Sequence, residues 1–486
     1  MNYLLFLLII FTLMDSKKRI KGILSLISGA LTHLLIGNLF SFPNFIPYYK
    51  SYLYYQNGNK DLISEIQLYF IAPTGIFVHN TLPSVTGFLD KLLGIRILTI
   101  IGMISLLSSQ IIMYKFIKYY LLIISYALFG FCGSLTYFQS LKNCWKYFPE
   151  KKGIISGIIF SCFGLSSFAF TTIGDLIINR KSVEKNEDGY YPKNVADKFL
   201  NYIKFYIICI IVMGSISSIL AFPYEEEQNK PIATEHENEE ENSSEESDDN
   251  EKEKRLENKD KKEENKLFLQ EILGSLEFYK CLTVAGSTLI FGFLLSNTYR
   301  NFGINQNLDD FGMQILSKAF TLINTFIRLV WGVIYDKFGF RIPYIIICIN
   351  QILCGSFIYF ASKNIISYII VVCFGVISYA GHIILFPNLI HYKFGVDNSV
   401  IILGIMGIFG GIACILGPIL TLFFLKDNKD YLKIYLIGTA PTIVSLILTF
   451  FIKLEKKEEE IIKNENIDNS EDLKIISGRY TNASDN

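Results

Sequence analysis

Apolar residues in this chain come in long unbroken runs, not in the alternating or every-third-residue patterns of a soluble core. IISGIIFSCFGLSSFAFTTIGDLII and VIILGIMGIFGGIACILGPILTLFFL each exceed the roughly 20 residues that carry a helix across a bilayer. About twelve such runs occur, near 23–47, 66–89, 97–114, 119–141, 153–178, 202–222, 277–297, 314–335, 342–361, 365–390, 399–425 and 431–452. In hydrocarbon every backbone N–H and C=O must bond within its own segment, so the runs predict helices and exclude strands. No soluble helical core needs so many runs of this length.

The polar stretches divide the chain. After the sixth run comes an acidic, almost wholly charged segment over 224–266. It has too few apolar residues to fold alone and reads as a disordered linker. LFLQEILGSLEFYK then reads as an amphipathic helix leading into the seventh run. The polar tail at 456–486 also reads as disordered. At the other end, MNYLLFLLIIFTLM is too short to cross, and no basic residue precedes it as in a cleaved signal. Residues 1–14 are set apart as an apolar extension, either not native or lying along the membrane. What remains is a six-helix unit over 15–223 and another over 267–455.

Composition sharpens this picture in two ways. Net charge is zero, but the charges gather between the runs, as a membrane protein requires. The nine cysteines, including Cys144, Cys281 and Cys414, lie in or beside apolar runs with no Cys-x-x-Cys pair, which argues against a disulfide framework or a metal site. There are no paired carboxylates, no His-Glu-x-x-His, no Walker loop and no nucleophile elbow, so enzyme and nucleotide-driven readings fall away, and no cofactor is expected.

The two halves repeat. GFLDKLLGIR, Gly87 to Arg96, ends the second run, and GVIYDKFGFR, Gly332 to Arg341, ends the eighth. A second landmark follows in each half, NCWKYFPEKKGIISGIIFSCFG and LIHYKFGVDNSVIILGIMGIFGG, at an offset of about 245 residues between copies. A parallel repeat of this kind implies a pseudo-two-fold axis along the membrane normal. Lys17, Lys18, Arg19, Lys91, Arg96, Lys142, Lys146, Lys337, Arg341 and Lys453 share one side, which the positive-inside rule makes cytoplasmic, together with the termini and linker.

Gly332-x-x-x-Asp336-Lys337-x-Gly339-x-Arg341 resembles the loop motif of the major facilitator superfamily, and its placement in a six-plus-six chain extends the resemblance over residues 15–455. The resemblance implies an all-α membrane protein of twelve transmembrane helices in two pseudo-symmetric bundles. It makes Gly332, Asp336, Lys337, Gly339 and Arg341, with Asp90 and Arg96 in the first half, a conformational latch. The physics fits: glycines let helices approach, and the Asp accepts from the amino-terminal amides of a facing helix. The first copy departs, because DKLLGIR has one residue more between Asp90 and Gly94. Trp145-x-x-Phe148-Pro149 running into Gly153 and Gly157, and SFPNFIPYYKS in the first run, are similar to two branches of that superfamily. These are the oxalate/formate antiporter-like carriers and the monocarboxylate transporters.

Arg328 lies eight residues before Asp336, roughly 12 Å into the membrane, where a permanent charge is costly and usually faces a water-filled cavity. In both branches an arginine at this place binds the substrate carboxylate. Ser317, Thr321, Asn324 and Arg328 form one polar stripe on their helix. Monocarboxylate transporters carry an Asp where this chain has Asn324 and a Lys where it has Asn44, and the oxalate-type lysine is missing from the eleventh run. That favours a singly charged substrate or a zwitterion. His33, Gly37, Phe40 and Asn44 share a face of the first helix, Tyr379, His382 and Phe386 a face of the tenth, and a histidine there can titrate near neutral pH. The expected binding set is Arg328, Asn324, Thr321, Asn44, His33, Tyr379 and His382. The expected function is secondary transport of a small, monocarboxylate-like organic anion across a plasma or organelle membrane, coupled to a proton or to a counter-anion. No nucleic-acid partner is expected. Carriage of an amino acid or other small metabolite, and a nutrient receptor that binds without transporting, are the competing readings.

Overall fold

A computed structural model describes residues 16–58, 65–225, 269–425 and 431–454. The extension over 1–14, nearly all of the 224–266 linker and the 456–486 tail lie outside the described residues. Those that are described form helices and short connections, with no strand among them. Among the described residues, nine helices are long and apolar enough to cross a membrane by length and composition alone. The other three of the twelve passages are Glu65–Thr81, Asp310–Phe338 and Val396–Leu425. The first has only 17 residues before its Leu82 interruption, and the second carries Lys318, Arg328, Asp336 and Lys337. The third is apolar but described in side-chain detail only to Ile412. The lipid-facing surface matches this reading. Ile342, Ile346, Ile349, Leu353, Phe357 and Phe360 are exposed on one stripe of Arg341–Ala361, at helical spacing.

Two passages differ from the simple pattern of runs. The first span is longer than its run: Ser16–Ile36, a tighter turn over Gly37–Ser41, then Phe42–Gln56. Pro43 removes the backbone donor that would bond the Leu39 carbonyl inside the tighter turn, and Pro47 removes another farther along the helix. Gly37 sits there because a side chain would strike the Phe163 carbonyl of the fifth span. The second and third spans are joined in Pro83–Lys115, broken only at Gly94, whose φ of 72° lies in the left-handed region. Gly339, at the matching place after the eighth span, has φ of 69°. Both turns need glycine for that reason.

The repeat in sequence is a repeat in structure. Arg96 donates to the carbonyls of Ala221 and Ile219 at the end of the sixth span. Arg341 donates to the carbonyl of Ile452, just past the twelfth, at 2.7 Å. Each arginine therefore ties the start of a third helix to the end of a sixth.

The halves meet along two helix pairs, the fifth span (Lys152–Ile178) with the eighth (Asp310–Phe338), and the second with the eleventh (Val396–Leu425). In the first pair the backbones touch: a Cβ on Gly153 would enter the Gly332 carbonyl, and one on Gly332 the Gly153 carbonyl. That approach lets Asp336 accept from the amides of Gly153 (2.7 Å) and Ile154 (2.9 Å) at the amino terminus of the fifth span. Charge and helix dipole are correctly paired. In the second pair Gly404 abuts Ser84 and Gly407 abuts the Asn80 carbonyl. Lys91 stands four residues after Gly87, as Asp336 stands four after Gly332. Lys91 donates to the Asn398 side chain at 3.0 Å, and Asp90 pairs with Lys142 at 3.0 Å. The glycine spacing is the same in both copies but the acid of the first stands one position earlier, so a cation occupies the place from which a carboxylate would reach the helix terminus, and Asn398 supplies the acceptor. Asp397 takes Lys146 at 3.0 Å and Lys142 at 3.6 Å, carrying the charge network from one half to the other. Of the remaining motif residues, exposed Lys337 lies over the Phe338 ring.

These contacts lie between the middle of the membrane and the end bearing both termini. Trp145 stacks on His391 there (4.6 Å), and Ser156 bonds Asn388 (3.2 Å). One buried apolar cluster runs through both halves, whereas Phe302, Met313, Tyr368 and Tyr431 belong to a separate cluster inside the second half, at the opposite end. The molecule is closed at the termini end.

Gly332→Val places a branched side chain against the Gly153 carbonyl, an overpacking cost of roughly 1–3 kcal/mol borne only by the closed form. A Ser156→Cys reporter at this seam should then react with a water-soluble maleimide about tenfold faster than in the Gly332 parent. Asp336→Asn should move the rate the same way, because it removes the charge from the latch. Unchanged rates in both would mean that the seam does not hold the closure.

Candidate functional site

The eighth span carries the site's only deeply buried charge among its described side chains. Arg328 is 3% exposed. Its Nη1 donates to the Phe160 carbonyl at 2.6 Å and its Nη2 to the Asn324 side-chain oxygen at 3.2 Å, one turn earlier on its own helix. Its Nε is buried without a hydrogen-bond partner. Both acceptors are neutral, and no carboxylate among the described residues forms an ion pair with it. The sequence places it there through the glycine seam. Gly157 packs against the Arg328 and Leu329 backbone, Gly164 against Thr325, and Ser161 donates to the Thr325 carbonyl at 2.9 Å.

Beside Arg328, about midway through the membrane, lies a cavity of about 130 Å³ between the halves. Its walls are chiefly aromatic. The first half supplies Phe40, Phe138, Phe160 and Phe163, and the second supplies Phe293 and Phe386. The polar side chains at its surface are His79, Asn80, Tyr137, Tyr379 and His382. Tyr137 and Tyr379 lie within electrostatic reach of the Arg328 guanidinium, which stands just behind the wall. His382 is anchored from behind: its Nδ1 is 2.8 Å from both the Thr288 and Tyr344 hydroxyls, which are 2.7 Å from each other. Nε2 is then the nitrogen left for the cavity.

The residues expected from sequence fall into three groups. Arg328, Asn324, Tyr379 and His382 come together at or directly behind the cavity. His33 is fully buried one layer back, with Nδ1 at 2.8 Å from the Gly29 carbonyl and its ring 4.9 Å from that of Tyr137. Thr321 bonds its own helix at Ser317 (3.1 Å). Asn44 is not brought in; it is exposed and bonds Thr171 at 3.3 Å. The tighter winding over Gly37–Ser41 explains this, because five residues at three per turn rotate the following face by roughly a quarter turn relative to an α-helix. His33 and Asn44 therefore do not share a face.

His79, Asn80 and Tyr137 were not in the expected set. The 245-residue offset between Gly87 and Gly332 would have found two of them, since it carries Tyr137 onto His382 and His79 onto Asn324. Phe40 and Phe386 were placed on the faces of His33 and His382, and both line the cavity; the other phenylalanines gave no signal, because an aromatic ring in an apolar run reads equally as lipid-facing or packed.

A sequence profile of the Major Facilitator Superfamily matches residues 28–418. The chain is similar to a probable transporter, MCH1, of Wickerhamomyces anomalus, with 27% identity over 237 residues. That match covers 46% of this chain and 45% of the relative, so it spans less than half of each. A stretch of 58 residues is 36% identical to an uncharacterized MFS-type transporter, YhjX, of Escherichia coli K12, covering 12% of this chain and 14% of that one. Among solved structures, the Escherichia coli fucose:proton symporter FucP aligns with a TM-score of 0.60 at 10% identity, covering 88% of this chain and 98% of that one. A structure of FucP in the outward conformation gives 0.62 at the same identity and coverage. The proton:xylose symporter XylE bound to 6-bromo-6-deoxy-D-glucose gives 0.61 at 12% identity, covering 88% and 96%. At such identities the likeness establishes the fold.

A buried cation with only neutral partners destabilises the unloaded fold. Arg328→Met keeps the volume and removes the charge, so the melting temperature of the substrate-free protein in detergent should rise by a few degrees. A fall would mean that the guanidinium is compensated within the fold.

Proposed function

Since this chain belongs to the major facilitator superfamily, a family of membrane transporters and not of enzymes, we propose that it carries a small monocarboxylate-like anion by alternating access. The observation that carries this reading is Arg328, a deeply buried guanidinium bonded only to a carbonyl and an amide oxygen. An incoming carboxylate supplies the missing negative charge, and the planar fork suits it. Two features of the sequence support single charge on the substrate. Asn324 stands where the monocarboxylate branch has an Asp, and the eleventh span lacks the lysine of the oxalate-type branch. Arg328 is then matched by one carboxylate, and a dianion would enter with one charge unpaired.

The alternating states follow from the fold. The seam and latch hold the termini end shut while the cavity lies between the halves. Neutralising Arg328 removes a reason for the halves to stay apart at the substrate. They then rock about the site, breaking the Asp336 bonds and the Lys146–Asp397 pair. His382, at the cavity surface, is the proposed proton carrier, whereas His33 is committed to the Gly29 carbonyl. The termini end is assigned to the cytoplasm on the strength of the lysine and arginine bias. The altered latch of the first half, with Lys91 at the carboxylate's place, favours one second reading, a receptor of the same fold that binds without transporting.

Uptake of labelled lactate, formate and oxalate into proteoliposomes under an imposed pH gradient tests the proposal. Wild type should take up lactate or formate in preference to oxalate. Arg328→Ala should lower that uptake by about a hundredfold or more, the loss of one desolvated charge-assisted contact. Arg328→Lys should recover part of it. Binding without uptake would select the receptor, and neither binding nor uptake of any of the three would overturn the anion reading.

A further inference from the structure

The wall of the cavity carries information that its charge does not. Six phenylalanines and two tyrosines surround a space of about 130 Å³. Their rings come from both halves. On one side Phe40 and Phe163 meet edge to face with centroids 5.5 Å apart. On the other, Phe293 meets Tyr379 at 5.9 Å, and Phe386 stacks on His382 at 5.4 Å with planes 13° apart. The polar side chains are few, and some are already engaged. Asn80 donates to its own helix at Ile76, and His382 uses Nδ1 toward Thr288 and Tyr344.

This composition discriminates among substrates of one charge. A polyol would bury several hydroxyls against Phe faces without partners, which is costly. A two- or three-carbon acid would place its carboxylate correctly but leave most of the ring surface untouched. An apolar cavity of about 150 Å³ holds benzene, so this space is filled by one six-membered ring, and the acid end lies beyond it at the wall nearest Arg328. Rings prefer edge-to-face or offset neighbours with centroids about 4.5–7 Å apart, and both halves contribute rings to the lining. The charged end has its own place. The Tyr137 phenol lines the cavity and makes no hydrogen bond among the described residues, and Arg328 stands behind it.

We infer that the substrate is a monoanion with a flat ring as its apolar body, an aryl-substituted carboxylic acid by chemical class. Its ring lies against Phe163 and Phe293, and its carboxylate lies at Tyr137 and Tyr379 in the field of Arg328. Phe163 and Phe293 are the residues that set specificity. This inference rests on the organic-anion reading above, and adds to it what the uncharged end must be.

A matched series separates the two. Lactate, 3-phenyllactate and 3-cyclohexyllactate share the carboxylate and hydroxyl and differ only in the body. Their concentration-dependent uptake is measured in proteoliposomes of the full chain, with protein-free liposomes subtracted. The expected half-saturation for 3-phenyllactate is at least about tenfold lower than for lactate, with the cyclohexyl analogue between them, as two aromatic contacts would give. Phe293→Leu, which keeps an apolar side chain and loses the ring, should shrink the ratio between phenyllactate and lactate severalfold. The wild-type series stands on its own if that variant does not fold. Uptake of lactate with equal or weaker handling of phenyllactate overturns the ring and leaves the anion reading intact. Equal phenyl and cyclohexyl values overturn flatness in favour of bulk. Uptake of none of the three removes the anion reading, and this inference with it.

Discussion

The backbone contact between Gly153 and Gly332 sets the position of everything that matters on the eighth span. With no side chain between them, the fifth and eighth spans lie close enough for Asp336 to reach the Gly153 and Ile154 amides. One turn of helix away from Gly332, the same approach presses Arg328 onto the Phe160 carbonyl. Another turn on, it brings Thr325 against Gly164 and Ser161. Latch, charge and cavity wall are thus threaded on one helix pair. A displacement of that pair moves all three together.

The second pair of helices does the same work with other chemistry. A carboxylate at a helix amino terminus is favoured by the dipole, and a lysine there is not. The first half nevertheless presents Lys91 at the eleventh span, and the structure accommodates it through the Asn398 oxygen and the neighbouring Asp397. The two seams therefore differ in kind. One is a pair of amide–carboxylate bonds to the backbone. The other is a network of side-chain charges, Asp90, Lys142, Asp397 and Lys146, that ionic strength will screen more strongly.

Much of this was legible in the sequence. Twelve passages, two repeating halves and the latch glycines follow from run length and spacing, because a bilayer permits few alternatives. Arg328 was legible because charge at that depth is rare, and Asn324 because it lies one turn away. Asn44 was misplaced, since a periodicity of 3.6 cannot be carried across the tighter turn at Gly37–Ser41. Of the aromatic wall only Phe40 and Phe386 were legible, through the faces they share with His33 and His382. Whether Phe163 faces lipid, a neighbouring helix or a cavity depends on how two bundles dock, and no local pattern encodes that. His79 and Tyr137 lay between these cases, readable only by carrying the internal repeat through the helices as well as the loops.

Arg96 and Arg341 tie the third helix of each half to the end of its sixth. Each six-helix unit is thereby closed into a ring at the termini end, and a ring resists shear where an open stack would not. Strain arriving at the cavity has little to deform inside a unit and is passed whole to the seam. The first ring is also fastened at Ala221, four residues before the last described residue ahead of the linker. A force applied at that end of the sixth span therefore meets two helices tied together, not one.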